Sequence, residues 1–196
     1  MRKTGEQRKL EIIEATLELA SSQGVARVTT QAIADKVGIA HATVFRHFKS
    51  RDQIFAAALQ QVVQRMMANL EPWFESSKPV DQRLRCLVEA QFLFFSANRG
   101  LPRLLFSDRL HLESSELKRV IQQAMSRFTT RIEKMLVEGV EAGLFRRDLV
   151  SKDTARYLIA LFQGLMMRWS VFDFEFSIEK EGQQLWRFFS PAIRVN

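Results

Sequence analysis

Residues 29 to 55 read as two short helices joined by a tight turn and followed directly by the start of a third helix. The first short helix has an apolar side around Ile33, and Gly38 supplies the positive φ or close backbone approach that such a turn needs. Val44 and Phe48, four residues apart, give the second short helix one apolar side. The stretch therefore predicts a helix-turn-helix, whose second helix lies in a major groove of DNA.

The second of these helices directs a mixed set of side chains away from its apolar side. Small residues let a backbone come close to DNA, Arg and His reach base edges, and Thr and Lys bind phosphates. We expect His41, Ala42 and Arg46 to lie near base edges. The residues that we expect to bind phosphates are Thr30, Gln31, Thr43, His47 and Lys49.

This stretch resembles the DNA-binding domain of the TetR family of bacterial transcriptional regulators. In that family a Thr precedes the first helix, an Ile-Ala pair lies inside it, and a Gly turn leads to Thr, a hydrophobic residue, Tyr, any residue, His and Phe. The matching positions here are Thr29, Thr30, Ile33, Ala34, Gly38 and the run from Thr43 to Phe48. One position departs from the pattern, because Phe45 replaces the Tyr whose hydroxyl would contact a phosphate. We therefore expect Phe45 to make an apolar contact with DNA.

The rest of the chain also reads as helices. With 8 Gly and 4 Pro in 196 residues there is little room for many turns, which favours a few long helices over sheets. Helices are predicted over residues 6–22, 51–70, 80–98, 153–172 and 178–193, with a short one near residue 104 and a long one capped by Ser114 or Ser115. Because Pro72 lacks an N–H group, the helix that begins at residue 51 is expected to kink or end there.

These elements predict an all-α fold of about nine helices in two domains. Residues 1–50 would form a three-helix DNA-binding domain with the helix-turn-helix, and residues 51–196 a helical domain for effector binding and dimerisation. The resemblance implies that the helix at residues 51–70 connects the two functions and changes its tilt when a ligand binds.

The last two predicted helices carry more apolar surface than one small domain requires. Such helices suggest an isologous dimer built as a four-helix bundle, and TetR-like proteins dimerise through their last two helices. The alternative is that these residues belong only to the core of one chain. The expected interface residues are Leu158, Leu161, Gly164, Leu165, Trp169, Leu185, Trp186 and Phe189.

The chain has 16 Phe and 7 Met, many of them in the predicted C-terminal domain. Such side chains often line an adaptable apolar cavity, although they also make up ordinary helical cores. Few charged residues interrupt these helix faces, so we expect a hydrophobic or aromatic small-molecule effector rather than a highly charged one. The candidate ligand-binding residues are Met66, Phe92, Phe95, Phe106, Met125, Phe128, Phe162 and Met166.

Composition and motifs limit the other classes of function. The formal net charge of +7 suits a polyanionic partner but is spread over both predicted domains. No Cys/His cluster has metal-ligand spacing, His111 stands alone, and no cofactor or catalytic pattern is present, so we expect no enzyme, metal or cofactor. A single cysteine, Cys86, and the lack of any apolar run near the roughly 18 residues of a membrane span predict a cytoplasmic protein.

The sequence therefore predicts a ligand-responsive transcriptional regulator. We expect a repressor that binds a near-palindromic operator as a homodimer and is released by the effector. Two alternatives stay open at this point. The first is a helix-turn-helix DNA binder without a small-molecule effector, either constitutive or controlled by a partner, and the second is an all-helical enzyme.

Overall fold

A computed structural model describes residues 3–107 and 114–195 and shows an all-helical chain over those ranges. The described helices are α1 (Gly5–Gln23), α2 (Thr30–Val37), α3 (His41–His47), α4 (Arg51–Glu75), α5 (Val80–Ala97), α6 (Gly100–Leu105), α7 (Ser115–Glu141), α8 (Ser151–Val171) and α9 (Ile178–Ile193), with a short 3-10 helix at Val25–Arg27. The predicted fold class, all-α with about nine helices and an N-terminal helix-turn-helix, is confirmed by the nine helices of the described ranges. None of the described helices combines the length and apolar character that crossing a bilayer requires.

Side-chain caps and one glycine set the helix boundaries around the helix-turn-helix. At the start of α1, Thr4 accepts a hydrogen bond from the Gln7 backbone N–H at 3.2 Å and its own N–H donates to the Gln7 side chain at 2.9 Å. Thr29 caps α2 by accepting from the Ala32 N–H at 3.0 Å. Gly38 ends α2 in the left-handed conformation, with φ 71° and ψ 42°, as the tight turn requires.

The end of α4 differs from the sequence prediction. The helix does not end at Pro72 but continues to Glu75. Pro72 cannot donate to the Ala68 carbonyl, and both residues are exposed, so the missing hydrogen bond lies on the solvent side of the helix. One turn later the Phe74 carbonyl accepts a hydrogen bond from Arg83 Nη1 at 3.1 Å, which stabilises the last turn of the helix.

The chain packs as two compact units, which are not the two ranges of the sequence prediction. The first unit combines Met1–Gln64 with Arg99–Gln122, and the second combines Arg65–Asn98 with Gln123–Asn196. The first packing unit thus contains α6 and the beginnings of α4 and α7 in addition to the predicted DNA-binding domain. The assignment of DNA binding to residues 1–50 and of effector binding and dimerisation to residues 51–196 stays a prediction.

In the first unit, α1 packs against α2, α3 and α6. Its core includes Ile12, Ile33 and Val44, each fully buried. A Cβ atom on Gly100 would lie 3.1 Å from the Leu17 carbonyl oxygen, so the glycine lets α6 approach the backbone of α1. The helix-turn-helix is thus held against α1 rather than standing alone.

In the second unit, α5 packs mainly against α9, and α8 also contacts α9. A Cβ atom on Gly182 of α9 would lie 2.6 Å from the ring of Phe92, so this glycine makes room for the aromatic side chain. Leu84, Leu87 and Phe92 of α5 are fully buried. This packing makes α5 a central helix of the second unit.

Candidate DNA-binding surface and apolar core

One side of helix α3 packs against the core of the first unit, and the opposite side is exposed to solvent. Val44 is fully buried and Phe48, directly after the helix, is 8% exposed, so both hold α3 to the core of the first unit. All nine residues predicted to contact DNA lie in this unit. Gln31, His41, Ala42, Phe45, Arg46 and Lys49 are exposed, and Thr30, Thr43 and His47 are half-buried. The side chains predicted to contact DNA are therefore accessible, while their contacts with DNA stay a prediction.

Contacts between α2 and α3 fix the orientation of His41. Its Nε2 lies 2.8 Å from the Thr30 hydroxyl oxygen, which joins the first turns of the two helices. The His41 ring also meets the Phe45 ring edge-to-face, with the centroids 5.0 Å apart. These contacts leave Phe45 46% exposed, an unusual exposure for an aromatic ring without a hydroxyl group. Phe45 is thus positioned as an apolar contact surface, while its role in DNA binding stays a prediction.

Lys49 lies at the junction between α3 and α4. Ser50 accepts a hydrogen bond from the Gln53 N–H at 3.2 Å, and the Gln53 side chain accepts from the Lys49 N–H at 2.9 Å. The two bonds fix the backbone at the N-terminus of α4. The exposed Lys49 side chain therefore extends from a backbone that is hydrogen-bonded to the cap of α4.

A basic cleft of about 650 Å³ lies between the N-terminal turn of α1 and α3. Its lining residues are Lys3, Thr4, Gly5, Arg8, Ile39, Ala40, Thr43, Arg46 and His47. Glu11 binds both Lys3 and Arg8, the latter at 2.8 Å. The hydrogen bond from Lys3, with the charges of Lys3 and Arg8, holds the pKa of the Glu11 carboxyl below its ordinary value against the opposing effect of desolvation. The sequence analysis did not identify Arg8 as a residue of this surface. Its position one turn after the Thr4 cap is the sequence feature that could have indicated it.

Four of the predicted ligand-binding residues form one aromatic cluster in the second unit. The Phe92 ring lies 5.7 Å from Phe95 and 5.4 Å from Phe162, edge-to-face in both cases. Phe128 stacks on Phe162 at 6.3 Å. Phe74, which the sequence reasoning did not single out, extends the cluster because its ring lies 6.3 Å from Phe128. The cluster brings α4, α5, α7 and α8 together within this unit.

The other four candidates differ in burial and place. Met166 is 2% exposed and belongs to the core, whereas Met66 is half-buried and Met125 is 36% exposed. Phe106 is 37% exposed and lies in the first unit, so it does not belong to the packing unit that holds the other seven. A role in ligand binding stays a prediction for all eight residues.

Gln91 is a buried polar residue that the sequence reasoning missed. It is 1% exposed in α5, on the face that also carries Leu87, Val88 and Phe95. Its side-chain Nε2 donates to the Met66 sulfur at 3.3 Å. The signal in the sequence is a glutamine at a position where the three- and four-residue spacing of the face calls for an apolar side chain.

Five of the eight residues predicted for the dimer interface are buried within their own chain. These are Leu158, Trp169, Leu185, Trp186 and Phe189. Of the others, Leu161 and Leu165 are half-buried and Gly164 is exposed. Helix α8 is apolar on two sides, and the sequence does not tell which side faces the chain's own core. The place of all eight residues in a dimer interface stays a prediction, and the half-buried or exposed ones offer more surface to a second copy.

Helices α8 and α9 each carry large apolar residues that are exposed in the single chain. Tyr157 is 65% exposed, Val171 68% and Phe188 74%. Gly164 lies between Tyr157 and Val171 on the same side of α8, and a Cβ atom there would meet nothing within 4 Å. We call Tyr157, Leu161, Gly164, Val171 and Phe188 the α8–α9 face.

No group of three His, Cys, Asp or Glu side chains within residues 3–107 and 114–195 is placed to hold a metal ion. His111 lies outside the described residues. Cys86 is a free, half-buried thiol.

Two family models cover most of the sequence. The model described as "Bacterial regulatory proteins, tetR family" matches residues 12–58, and the one described as "Tetracyclin repressor-like, C-terminal domain" matches residues 77–170. A curated relative, the nucleoid occlusion factor SlmA of Vibrio cholerae, is 27% identical over 190 residues, which cover 95% of this chain and 96% of that protein.

Solved structures share the fold over nearly the whole chain. A TetR transcription regulator from Haloarcula marismortui superposes with a TM-score of 0.86 at 21% identity, covering 97% of this chain and all of that one. The SmeT–triclosan complex superposes with a TM-score of 0.81 at 22% identity, covering 97% of this chain and 93% of that chain. Together with the helix-turn-helix on an anchored α3, the two family models show that the chain belongs to the TetR family of DNA-binding transcriptional regulators, a family of regulators rather than enzymes.

Proposed function

We propose that this regulator is a repressor that binds a near-palindromic operator as a homodimer and is released by a hydrophobic small molecule. The observation that carries the DNA-binding part is the outward face of α3, where Ala42, Phe45 and Arg46 are exposed beside the buried anchor Val44. In a dimer, two such helices would dock in successive major grooves, about 34–36 Å apart. Base contacts from His41, Ala42 and Arg46 would then set the sequence preference.

The α8–α9 face is the surface that we assign to the dimer. It is apolar, exposed in the single chain and formed by the last two helices. Gly164 leaves room for a helix of the second copy to come close, and Phe188 offers the most exposed aromatic ring of the described residues. In an isologous dimer of this kind, the two-fold symmetry makes each contact between the two copies occur twice.

The second unit is the part that we assign to the effector. Its aromatic cluster is apolar, and the structural neighbour SmeT is a complex with triclosan. Helix α4 continues from the first unit through Gln64 into the second at Arg65. A ligand that contacts Met66 would therefore act on the same helix that begins beside Lys49, and a change in its tilt would alter the spacing of the two α3 helices.

A second candidate is a DNA-binding protein that acts without a small-molecule effector. The observation that favours it is the match to relatives named nucleoid occlusion factor over 95% of this chain. A constitutive or partner-controlled binder would hold its DNA regardless of added hydrophobic compounds. Ligand-dependent release is thus the property that separates the two candidates.

Binding of the purified protein to the DNA that flanks its own gene tests the proposal. We expect saturable binding that survives an excess of unrelated competitor DNA and is lost when a hydrophobic compound is added. Fluorescence anisotropy of labelled DNA would report both steps. Specific binding that no compound in a broad hydrophobic library weakens would favour the second candidate, and the absence of specific binding to any genomic fragment would contradict both.

Arg46 and Lys49 are expected to affect DNA binding in different ways. Arg46→Ala should cost about 1–3 kcal/mol and relax the preference at one base pair, because Arg46 would bind a base edge. Lys49→Ala should weaken binding to all sequences and lower the slope of log K against log salt by about one, because a phosphate contact is lost. Anisotropy titrations at several salt concentrations, on the operator and on single-base variants, would measure both effects.

Lys134→Ala is the matched control, since Lys134 is an exposed lysine of α7 in the second unit. It should change neither the affinity nor the salt slope. Equal losses and equal slopes for the Arg46 and Lys49 variants would contradict this division of roles.

A further inference from the structure

Gln91 brings a side-chain amide into an otherwise apolar part of the second unit. Only 1% of the residue is exposed, and its Nε2 donates to the Met66 sulfur, a weak acceptor, at 3.3 Å. Its side-chain oxygen Oε1 is buried and accepts no hydrogen bond from the residues that the structure describes. The amide is therefore only partly satisfied by the protein.

A buried amide oxygen without a donor lowers the stability of a fold. Transferring an amide oxygen from water to the protein interior costs free energy, and a hydrogen bond within the protein is needed to offset that cost. Leucine or methionine would occupy the same position on α5 without this cost, as the buried Leu87 and Val88 do elsewhere on the same face. A molecule that donates a hydrogen bond to Oε1 would remove the cost, so the geometry favours binding of a donor.

We propose that Gln91 is the polar anchor of the effector, and that the effector is an apolar molecule with one neutral hydrogen-bond donor, such as a phenol or an alcohol. This inference rests on the proposed function and specifies the chemistry of its ligand. The donor group would lie at Gln91 and Met66. The apolar remainder would lie against the aromatic cluster, which begins at Phe92 and Phe95 on the same helix.

The charged residues of the second unit favour an effector whose donor group is neutral. Arg83 is the buried cation among the described residues of this unit, and its guanidinium already donates to the Lys78 and Phe74 carbonyls and binds Glu138. For an effector carboxylate buried at Gln91, the buried cation among the described residues of this unit would thus already be paired, and a buried charge without a partner is unfavourable. A neutral hydroxyl carries no such penalty.

Matched ligands that differ only in the donor test the proposal. The probes are 2-naphthol with 2-methoxynaphthalene, and 4-phenylphenol with 4-methoxybiphenyl, since each ether keeps the oxygen and the rings but has no O–H. Calorimetry on the full-length protein should show that a phenol binds about tenfold more tightly than its ether, as expected for one buried hydrogen bond. Gln91→Leu should abolish this preference while the ether binds as it does to the wild type.

Gln82→Leu makes the same substitution on the exposed side of α5 and should keep the tenfold preference. Gln91→Met serves as a second variant with a side chain of similar length, and the thermal unfolding midpoint of both Gln91 variants should equal or exceed that of the wild type. A phenol preference that survives in both Gln91 variants would overturn the proposal, and so would the failure of both phenols to bind the wild type.

The operator complex separates this proposal from the function on which it rests. If phenols and ethers bind equally well and both release the DNA, the role of Gln91 is wrong while the ligand-responsive repressor stands. If the phenol preference depends on Gln91 but the DNA stays bound, the ligand site stands and the effector part of the proposed function is wrong.

Discussion

Replacing Phe145 with Ala is expected to lower the free energy of unfolding by about 3–5 kcal/mol. Phe145 follows α7, is fully buried, and its N–H donates to the Gly139 carbonyl at 3.0 Å. The flanking backbone pairs with the C-terminal segment, where Arg146 donates to the Ile193 carbonyl at 2.9 Å. Removing the ring would leave a cavity at the point where the end of α7 meets the end of α9.

Urea unfolding followed by circular dichroism measures this loss, and Leu144→Ala is the control. Leu144 is the preceding residue but is 37% exposed, so its truncation should cost much less. Similar losses for the two variants would contradict the assigned role of the Phe145 ring.

Gly139 allows a sharper form of the same test. A Cβ atom there would lie 2.0 Å from the Phe145 ring, so Gly139→Ala should destabilise the wild type by forcing the ring to move. In the Phe145→Ala background the same substitution should cost less, because the space is free. Additive losses in this double-mutant cycle would show that the two residues do not share the contact.

Replacing Phe188 with Glu is expected to weaken the dimer by about 2 kcal/mol or more per chain, because an exposed aromatic ring on an apolar interface is replaced by a charge. The contact is repeated in both protomers of an isologous dimer, so the total is about 4 kcal/mol, or about a thousandfold in the dissociation constant. Phe188 is 74% exposed in the single chain, so folding of the chain itself should be little affected. Sedimentation equilibrium over a range of protein concentrations measures the shift.

Leu93→Glu is the matched control, because Leu93 is 60% exposed in α5 and lies outside the α8–α9 face. It should leave the dimer unchanged. A wild-type protein that sediments as a monomer, or a Phe188→Glu variant that stays dimeric like the control, would contradict the proposed interface. Buried Trp186→Glu is not a suitable test, since Trp186 is 6% exposed and its loss would disturb the core instead.

The helix-turn-helix was predictable because its signals are local. A cap at Thr29, a left-handed glycine at Gly38 and the four-residue spacing of Val44 and Phe48 each act within one or two turns, and the structure contains all of them. Pro72 was a less reliable local signal for the end of a helix, because α4 continues past it to Glu75. A proline stops a helix only when the freed carbonyl has no alternative, and Ala68 is open to solvent.

The interface and the polar anchor depend on tertiary packing, which the sequence does not reveal. Trp169 and Phe189 are as apolar as Tyr157 and Phe188, and only the fold shows that the first pair is buried while the second is exposed. Gln91 breaks an apolar pattern in the sequence, but its unsatisfied oxygen becomes visible only when its neighbours are in place.

A hydroxyl-radical footprint of the protein on its operator tests whether a dimer binds with one α3 helix in each of two major grooves. If two α3 helices dock in successive major grooves, protection should fall in two symmetric blocks whose centres are about one helical turn, or 10–10.5 base pairs, apart. Methylation of guanine N7 in those grooves should interfere with binding, and less so for Arg46→Ala. A single protected block, or binding that is unaffected by methylation of guanine N7 throughout the protected blocks, would contradict this arrangement.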